Sequence, residues 1–134
     1  MKQIQAKILG NEEVGSGFFK MRIASAYLAK TARPGQFVEV KCGKETDPLL
    51  RRPIGVNRVV KGGIELLYEV VGHGTELMSG MKKNGMCDVI GPLGNGFDIP
   101  SRPGISILVA GGNGVAPLLF LAEELAKKKK TVHV

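Results

Sequence analysis

Aromatic residues are scarce in this sequence, which has no Trp, two Tyr and five Phe among its 134 residues. Proteins that bind single-stranded nucleic acids stack bases on aromatic side chains within a basic groove. The formal net charge is +7, but the basic residues are scattered, apart from the run at 127–130. That run ends a predicted helix, where cations interact favourably with the helix dipole. We therefore expect no nucleic-acid partner, because small anionic ligands explain the charge better.

Cysteines are also few. Cys42 and Cys87 stand far apart, form no CxxC motif and have no histidine close by in the sequence. We expect both to be buried, reduced thiols in a cytoplasmic chain. No run approaches the roughly 18 apolar residues of a membrane helix, so we expect no membrane span. The N-terminus, MKQIQAKILG, alternates polar and apolar residues like a strand and lacks the apolar block of a signal peptide.

Residues 1–99 have the pattern of a mainly β domain. Short runs of alternating or β-branched apolar residues indicate strands; they are QIQAKIL, GFFKMRI, QFVEVKC, PIGVNRVV, IELLYEVV and MCDVIG. Glycine-rich turn signals such as Gly62-Gly63 separate them. Six strands at this spacing predict a small closed antiparallel barrel. We predict a single helix in this part, TELMSGMKK, which begins directly after Gly74.

Residues 100–134 follow a different pattern, which begins within a linker, IPSRPG. ISILVA is a continuous apolar strand of the kind found in parallel sheets. The turn GGNGVAP, the helical run LLFLAEELAKKKK and a second strand, TVHV, complete one βαβ unit. A doubly wound sheet needs several more strands. We therefore expect an incomplete second domain, and self-association through this end or a need for a partner.

Two glycine-containing turns are candidates for binding phosphate. GGNGVAP follows a strand and opens a helix, so that Gly112 and Gly114 would let backbone amides approach a pyrophosphate; a tight structural turn is the alternative. In VGHGT, the amide of Gly74 and the hydroxyl of Thr75 could donate to a phosphate, whereas an ordinary N-cap is the alternative. His73, between the glycines, is expected to be an exposed loop residue.

The stretch DPLLRRPIG places two arginines before a predicted strand. Neighbouring guanidinium groups repel each other, so each needs a negative partner. A bidentate guanidinium is well shaped for a phosphate, and Pro53 stiffens the turn that carries it. Alternatively, one or both arginines pair with Asp47 or Glu45.

Four segments, RRPIG, LYEVVGHGT, GPLGNGFDI and AGGNGVAPL, occur here in an order and spacing that resemble the ferredoxin–NADP reductase superfamily. More narrowly, they resemble the electron-transfer subunits of NAD-dependent dihydroorotate dehydrogenases, from about residue 3 to the last residue. The resemblance implies a six-stranded Greek-key FAD-binding barrel followed by the start of an NAD-binding domain.

The resemblance also implies roles for individual residues. Arg52 would hold the FAD pyrophosphate, and Arg51 would face a carboxylate or a partner surface. The other implied cofactor-binding residues are Pro53, Ile54 and Gly55 beside the isoalloxazine, Leu67, Tyr68 and Glu69 along the next strand, and Gly74 and Thr75 at the pyrophosphate. Gly55 departs from the family pattern, because relatives carry a serine or threonine hydroxyl near flavin N5.

The implied function is an electron relay from NAD(P)H through FAD to a catalytic dehydrogenase subunit or another electron acceptor, in pyrimidine biosynthesis. Relatives also hold a [2Fe–2S] cluster, but Cys42 and Cys87 lack its spacing, so we expect no cluster ligands on this chain. The alternatives are the small subunit of a sulfide dehydrogenase or NADPH:ferredoxin oxidoreductase, and a non-catalytic flavin-binding fragment. We do not expect the chain alone to turn over NADH.

Overall fold

The computed structural model describes residues 1–43, 47–102 and 104–134. Six antiparallel strands close into a barrel in the order β1-β2-β5-β4-β3-β6, which confirms the predicted barrel. The strands are β1 (Lys2–Gly15), β2 (Phe18–Ala24), β3 (Phe37–Val40), β4 (Arg52–Val60), β5 (Gly63–Glu69) and β6 (Met86–Leu93).

Apolar and polar side chains alternate along the strands, and the apolar ones form the barrel core. In β2, Met21 and Ile23 are fully buried, whereas the intervening Arg22 points outward and pairs with Glu12 on β1. Strands β4 and β5 meet at the tight turn Lys61-Gly62, where Gly62 has a φ of +77°. This left-handed conformation is easy for glycine and strained for other residues. The predicted alternation therefore fixes which side chains face the core and which face outward.

Two helices accompany the barrel, and the prediction of a single helix in this part was wrong. Helix α1 (Ala26–Thr31) is capped by Ser25, whose hydroxyl accepts a hydrogen bond from the Leu28 amide at 3.2 Å. Leu28 is fully buried, so packing of this one side chain stabilises a helix too short to be stable in isolation. Helix α2 (His73–Ser79) begins two residues before the predicted start and also ends earlier than predicted.

The C-terminal part forms the predicted βαβ unit. Strands β7 (Ile105–Ile107) and β8 (Thr131–His133) pair in parallel, and helix α3 (Val115–Lys127) connects them. Strand β7 is shorter than the predicted ISILVA, and α3 begins three residues before the predicted LLFLAEELAKKKK. A one-turn 3-10 helix, Gly112–Gly114, precedes α3. The division into domains at residues 99 and 100 stays a prediction.

Helix α3 packs against the outside of the barrel. Phe120 is only 3% exposed and belongs to the same buried cluster as the barrel residues. Nearby, Arg58 of β4 pairs with Glu123 of α3 at 2.9 Å. The βαβ unit is thus held against β4, the strand that begins with Arg52. Within residues 1–43, 47–102 and 104–134, no helix is both long and apolar enough to cross a membrane.

Candidate functional site

A cavity of about 510 Å³ lies between the barrel and the βαβ unit. One wall comes from β4, β5 and the start of α2, and the other from the 3-10 turn and the first turn of α3. The sequence-predicted residues that line it are Arg52, Pro53, Ile54, Gly55, Leu67, Tyr68, Glu69, Thr75 and Gly114. Val71, Asn113, Ala116 and Pro117 also line it and were not among the predicted site residues.

Arg52 connects the stretch DPLLRRPIG to the VGHGT loop. Its Nη1 donates to the Leu50 carbonyl at 2.7 Å, and its guanidinium lies against the backbone of Gly74. A Cβ at position 74 would be 2.6 Å from Nε of Arg52, far inside van der Waals contact. Glycine at position 74 is therefore what allows the guanidinium to lie against α2, although Gly74 itself is not a lining residue of the cavity.

The partner of Arg51 is Asp88, not Asp47; Glu45, the other candidate, lies outside the described residues. Nη1 of Arg51 donates to Oδ1 of Asp88 and to its backbone carbonyl, both at 3.0 Å. Burial opposes charge on Asp88, but hydrogen bonds from Arg51 and Gln3 outweigh it, so the pKa of Asp88 lies below its usual value. In the described part of the chain, no carboxylate is within salt-bridge distance of Arg52. The two arginines therefore have distinct environments.

Thr75 uses its hydroxyl within the VGHGT loop. Oγ1 accepts from the amides of Val71 at 3.0 Å and Gly72 at 3.2 Å, and it donates to the Gly72 carbonyl at 3.0 Å. The hydroxyl thus stabilises the turn into α2 from the third position of the helix, whereas the N-cap itself is Gly72. His73 is the first residue of α2 rather than a loop residue, and its side chain is exposed as expected.

Strand β5 contributes Leu67, Tyr68 and Glu69 to the cavity, but the ring of Tyr68 belongs to the barrel core. It stacks on Phe19 with ring centroids 5.8 Å apart, and its hydroxyl donates to Oδ1 of Asn11 at 3.0 Å. Burial raises the pKa of Tyr68 to about 12. Tyr68 therefore positions the strand, and its hydroxyl stays neutral at physiological pH.

The GGNGVAP turn reaches the barrel through side chains. Nδ2 of Asn113 donates to Oε2 of Glu69 at 2.9 Å. Pro117 faces Gly55, where a Cβ would lie 3.9 Å from Cδ of the proline, an ordinary contact distance. Gly114 lines the cavity and Gly112 does not. Neither contact could be found from local sequence patterns, because each joins residues far apart in the chain.

The two cysteines lie outside this cavity. Both are free and buried, as expected, and burial raises the pKa of Cys87 to about 12. Burial also raises the pKa of Cys42. Thiols that stay protonated are poor nucleophiles and poor metal ligands, so their buried positions agree with a packing role.

Comparison with known structures defines the class of the fold. An NADH-dependent reduced ferredoxin–NADP oxidoreductase, studied for flavin-based electron bifurcation, superposes with a TM-score of 0.84 and 29% identity, covering 96% of this chain and 46% of its own. A ferredoxin–NADP⁺ reductase from Neisseria gonorrhoeae, solved with FAD and NADP bound, has a TM-score of 0.78 at 18% identity, covering 98% and 56%. At that identity the second likeness shows the fold alone. The chain thus has the barrel fold of ferredoxin–NADP reductases, as its motifs indicated.

Within this class, the curated relatives are electron transfer subunits of dihydroorotate dehydrogenase B (NAD(+)). The subunit from Desulforamulus reducens is 46% identical over 136 residues, which cover 99% of this chain and 52% of the relative. The chain thus spans about half the length of the curated relatives it matches. No protein-family model matches the chain.

Proposed function

We propose that the chain forms the FAD-binding part of an electron transfer subunit, which passes electrons from NAD(P)H through flavin to a catalytic dehydrogenase subunit. The most specific form of this proposal is dihydroorotate dehydrogenase in pyrimidine biosynthesis, because the relative with 46% identity carries that name. The observation that carries the proposal is the guanidinium of Arg52 against Gly74, at the edge of the 510 Å³ cavity.

The residues at the cavity suit the chemistry of FAD. Its diphosphate needs donors and positive charge, which Arg52 and the backbone amide of Gly74 can supply. Its ring system is flat and largely apolar, and Ile54, Leu67 and Pro117 offer apolar walls. FAD, when bound, supplies the ability to accept two electrons from a nicotinamide and to release them singly. The chain's own residues would hold the phosphates, orient the ring and exclude water from one of its faces.

Gly55 and the GGNGVAP turn refine the proposal. Gly55 lines the cavity without a side chain, so the hydroxyl donor that relatives carry near N5 would be absent, leaving backbone groups in its place. Gly112 and Gly114 would let the turn approach the pyrophosphate of NAD(P)H at the start of α3. We propose that ligands for a [2Fe–2S] cluster come from outside this chain, and that the protein is cytoplasmic, in keeping with two free cysteines.

One alternative has an observation in its favour. The NADH-dependent reduced ferredoxin–NADP oxidoreductase has the same fold at a TM-score of 0.84. The acceptor would then be a ferredoxin-type protein and not a dihydroorotate-oxidising subunit. Its identity of 29% against 46% for the dihydroorotate dehydrogenase relative favours the first proposal.

Replacing each arginine separately tests the FAD site. The apo chain is titrated with FAD, and binding is followed by flavin fluorescence for the parent, Arg52→Ala and Arg51→Ala. We expect Arg52→Ala to weaken FAD binding about ten- to a hundredfold, the loss of one charge-assisted hydrogen bond. Arg51→Ala is the matched control and should weaken it only slightly, because Arg51 is committed to Asp88. Melting temperatures of both variants establish that they are folded.

Two results would count against this function. Failure of the folded parent to bind FAD would remove the flavoprotein assignment itself. Equal losses of FAD affinity in the two variants would still support flavin binding. They would show, however, that Arg52 is not the residue that binds the FAD phosphates.

A further inference from the structure

One hydrogen bond joins the two walls of the cavity. Asn113, in the 3-10 turn, donates to the carboxylate of Glu69 at the end of β5, at 2.9 Å and across 44 residues of sequence. Both residues line the cavity, one on each wall. The bond therefore lies where the barrel and the βαβ unit meet at the proposed flavin site.

The turn around Asn113 has little other support. A Cβ added at Gly111, Gly112 or Gly114 would meet no atom of the described chain within 4 Å, apart from those of its immediate neighbours in sequence. Val115, which follows the turn, is 44% exposed. The packing of α3 on the barrel begins further on, with Ala116 and Phe120. Before that packing begins, the side chain of Asn113 ties residues 111–114 to the barrel.

We propose that Asn113 and Glu69 are positioning residues that hold the GGNGVAP turn over the cavity, and that phosphate groups arriving at the turn release this contact. The proposal rests on the proposed function. Glu69 places a negative charge beside the turn at which a dinucleotide pyrophosphate would bind. Because like charges repel, the carboxylate must leave Asn113 when the phosphates bind. An exposed hydrogen bond shifts the equilibrium between the formed and the released contact by only about fivefold, which the binding of a ligand can overcome.

Reversing the donor and the acceptor gives the decisive variants. Asn113→Asp places two carboxylates face to face and should open the contact at neutral pH. Glu69→Gln combined with Asn113→Asp restores a bond in which the glutamine amide donates to the aspartate. The reversed pair has the same net charge and nearly the same shape as the parent pair. A role that depends on the asparagine side chain at position 113 itself would not be rescued by it.

The contact is first tested without flavin. In ¹H–¹⁵N spectra of the apo chain, the side-chain amide of Asn113 should shift on Glu69→Gln and should also move when inorganic pyrophosphate is added. The FAD-loaded chain is then examined by quenching of flavin fluorescence with iodide. We expect accessibility to iodide to rise severalfold in Asn113→Asp and to return to the parent value in the reversed pair.

The results of these measurements either support or overturn the Asn113–Glu69 contact and its positioning role. An Asn113 amide that responds neither to Glu69→Gln nor to pyrophosphate overturns the contact. Iodide accessibility that is unchanged in Asn113→Asp, or raised equally in the reversed pair, overturns the positioning role while leaving FAD binding intact. If the apo chain shows the contact but does not bind FAD, the proposed function fails and this role at a flavin site fails with it.

Discussion

At the scale of single residues, two adjacent arginines have different partners although they share charge and length. Arg51 lies beside Asp88 of β6, and its guanidinium is used in fixing the loop before β4 to the barrel. Arg52 bonds to the carbonyl of Leu50 and rests on Gly74, so it keeps donors directed toward the cavity. A planar guanidinium carries five donors, and the bonds from Nη1 to the carbonyls of Leu50 and Arg51 leave the donors on Nη2 and Nε for a phosphate. The neighbouring residues, not the arginines themselves, create the difference.

Gly74→Ala should weaken FAD binding without unfolding the protein. The new Cβ would come within 2.6 Å of Nε of Arg52, and the flexible arginine side chain would move away rather than the backbone. We expect affinity for FAD to fall about tenfold, equivalent to about 1.4 kcal/mol, with little change in melting temperature. Gly72→Ala is the control, because in the described chain a Cβ there meets nothing within 4 Å and its φ of 177° is extended. Equal affinities for the two variants would show that the position of Arg52 does not matter.

At the scale of secondary-structure elements, α3 is part of the barrel's packing. Phe120 is 3% exposed within the barrel's buried cluster, whereas Leu119 beside it is 36% exposed. Through Phe120, the helix shares a buried cluster with the strands of the barrel. The pairing of Arg58 with Glu123 adds a polar contact at the same surface, although partly exposed ion pairs contribute little.

Phe120→Ala should therefore destabilise the barrel, and not only α3. Loss of a buried phenylalanine costs about 3–5 kcal/mol, and Leu119→Ala should cost far less. Tyr27 and Tyr68, the two tyrosines of the chain, both lie in the barrel part, so tyrosine emission during urea unfolding reports on the barrel. An unchanged urea midpoint in Phe120→Ala would mean that the barrel does not depend on this helix.

The sequence predicted some elements well because their signals are local. Alternating apolar residues and glycine-rich turns were enough to predict the six strands. A strand–turn–helix pattern was enough to predict the βαβ unit. Helix α1 was missed because AYLAKT is too short to show a helical period and depends on the burial of Leu28. The Arg51–Asp88 and Asn113–Glu69 contacts are made by the folding of distant segments, so no local pattern encodes them. Most lining residues were nevertheless predicted: Arg52, Thr75 and Gly114 from local patterns, and the rest of the predicted set through resemblance to a family.

At the scale of the whole molecule, four strongly exposed apolar side chains lie on or beside the small parallel sheet. Ile105, Ile107, Val109 and Val134 are 71%, 73%, 85% and 86% exposed. A two-stranded sheet is marginally stable alone, and its open edges present unpaired backbone groups that another strand can satisfy. Exposed apolar side chains beside such an edge favour association. The barrel, whose strands close on each other, has no comparable edge.

The 134-residue chain, studied on its own, should consequently self-associate through β7. Replacing both Ile105 and Ile107 by lysine places charge along this strand and should yield a monomer, because buried lysines at a strand–strand contact cost far more than exposed ones. Val14→Lys is the matched control: Val14 is 50% exposed on β1, so the same kind of change away from the sheet should leave association unaltered. Size-exclusion chromatography with light scattering, over a range of concentrations, measures the mass of each variant. A parent that is monomeric at every concentration, or a Val14→Lys variant that dissociates equally, would show that the exposed isoleucines of β7 do not drive association.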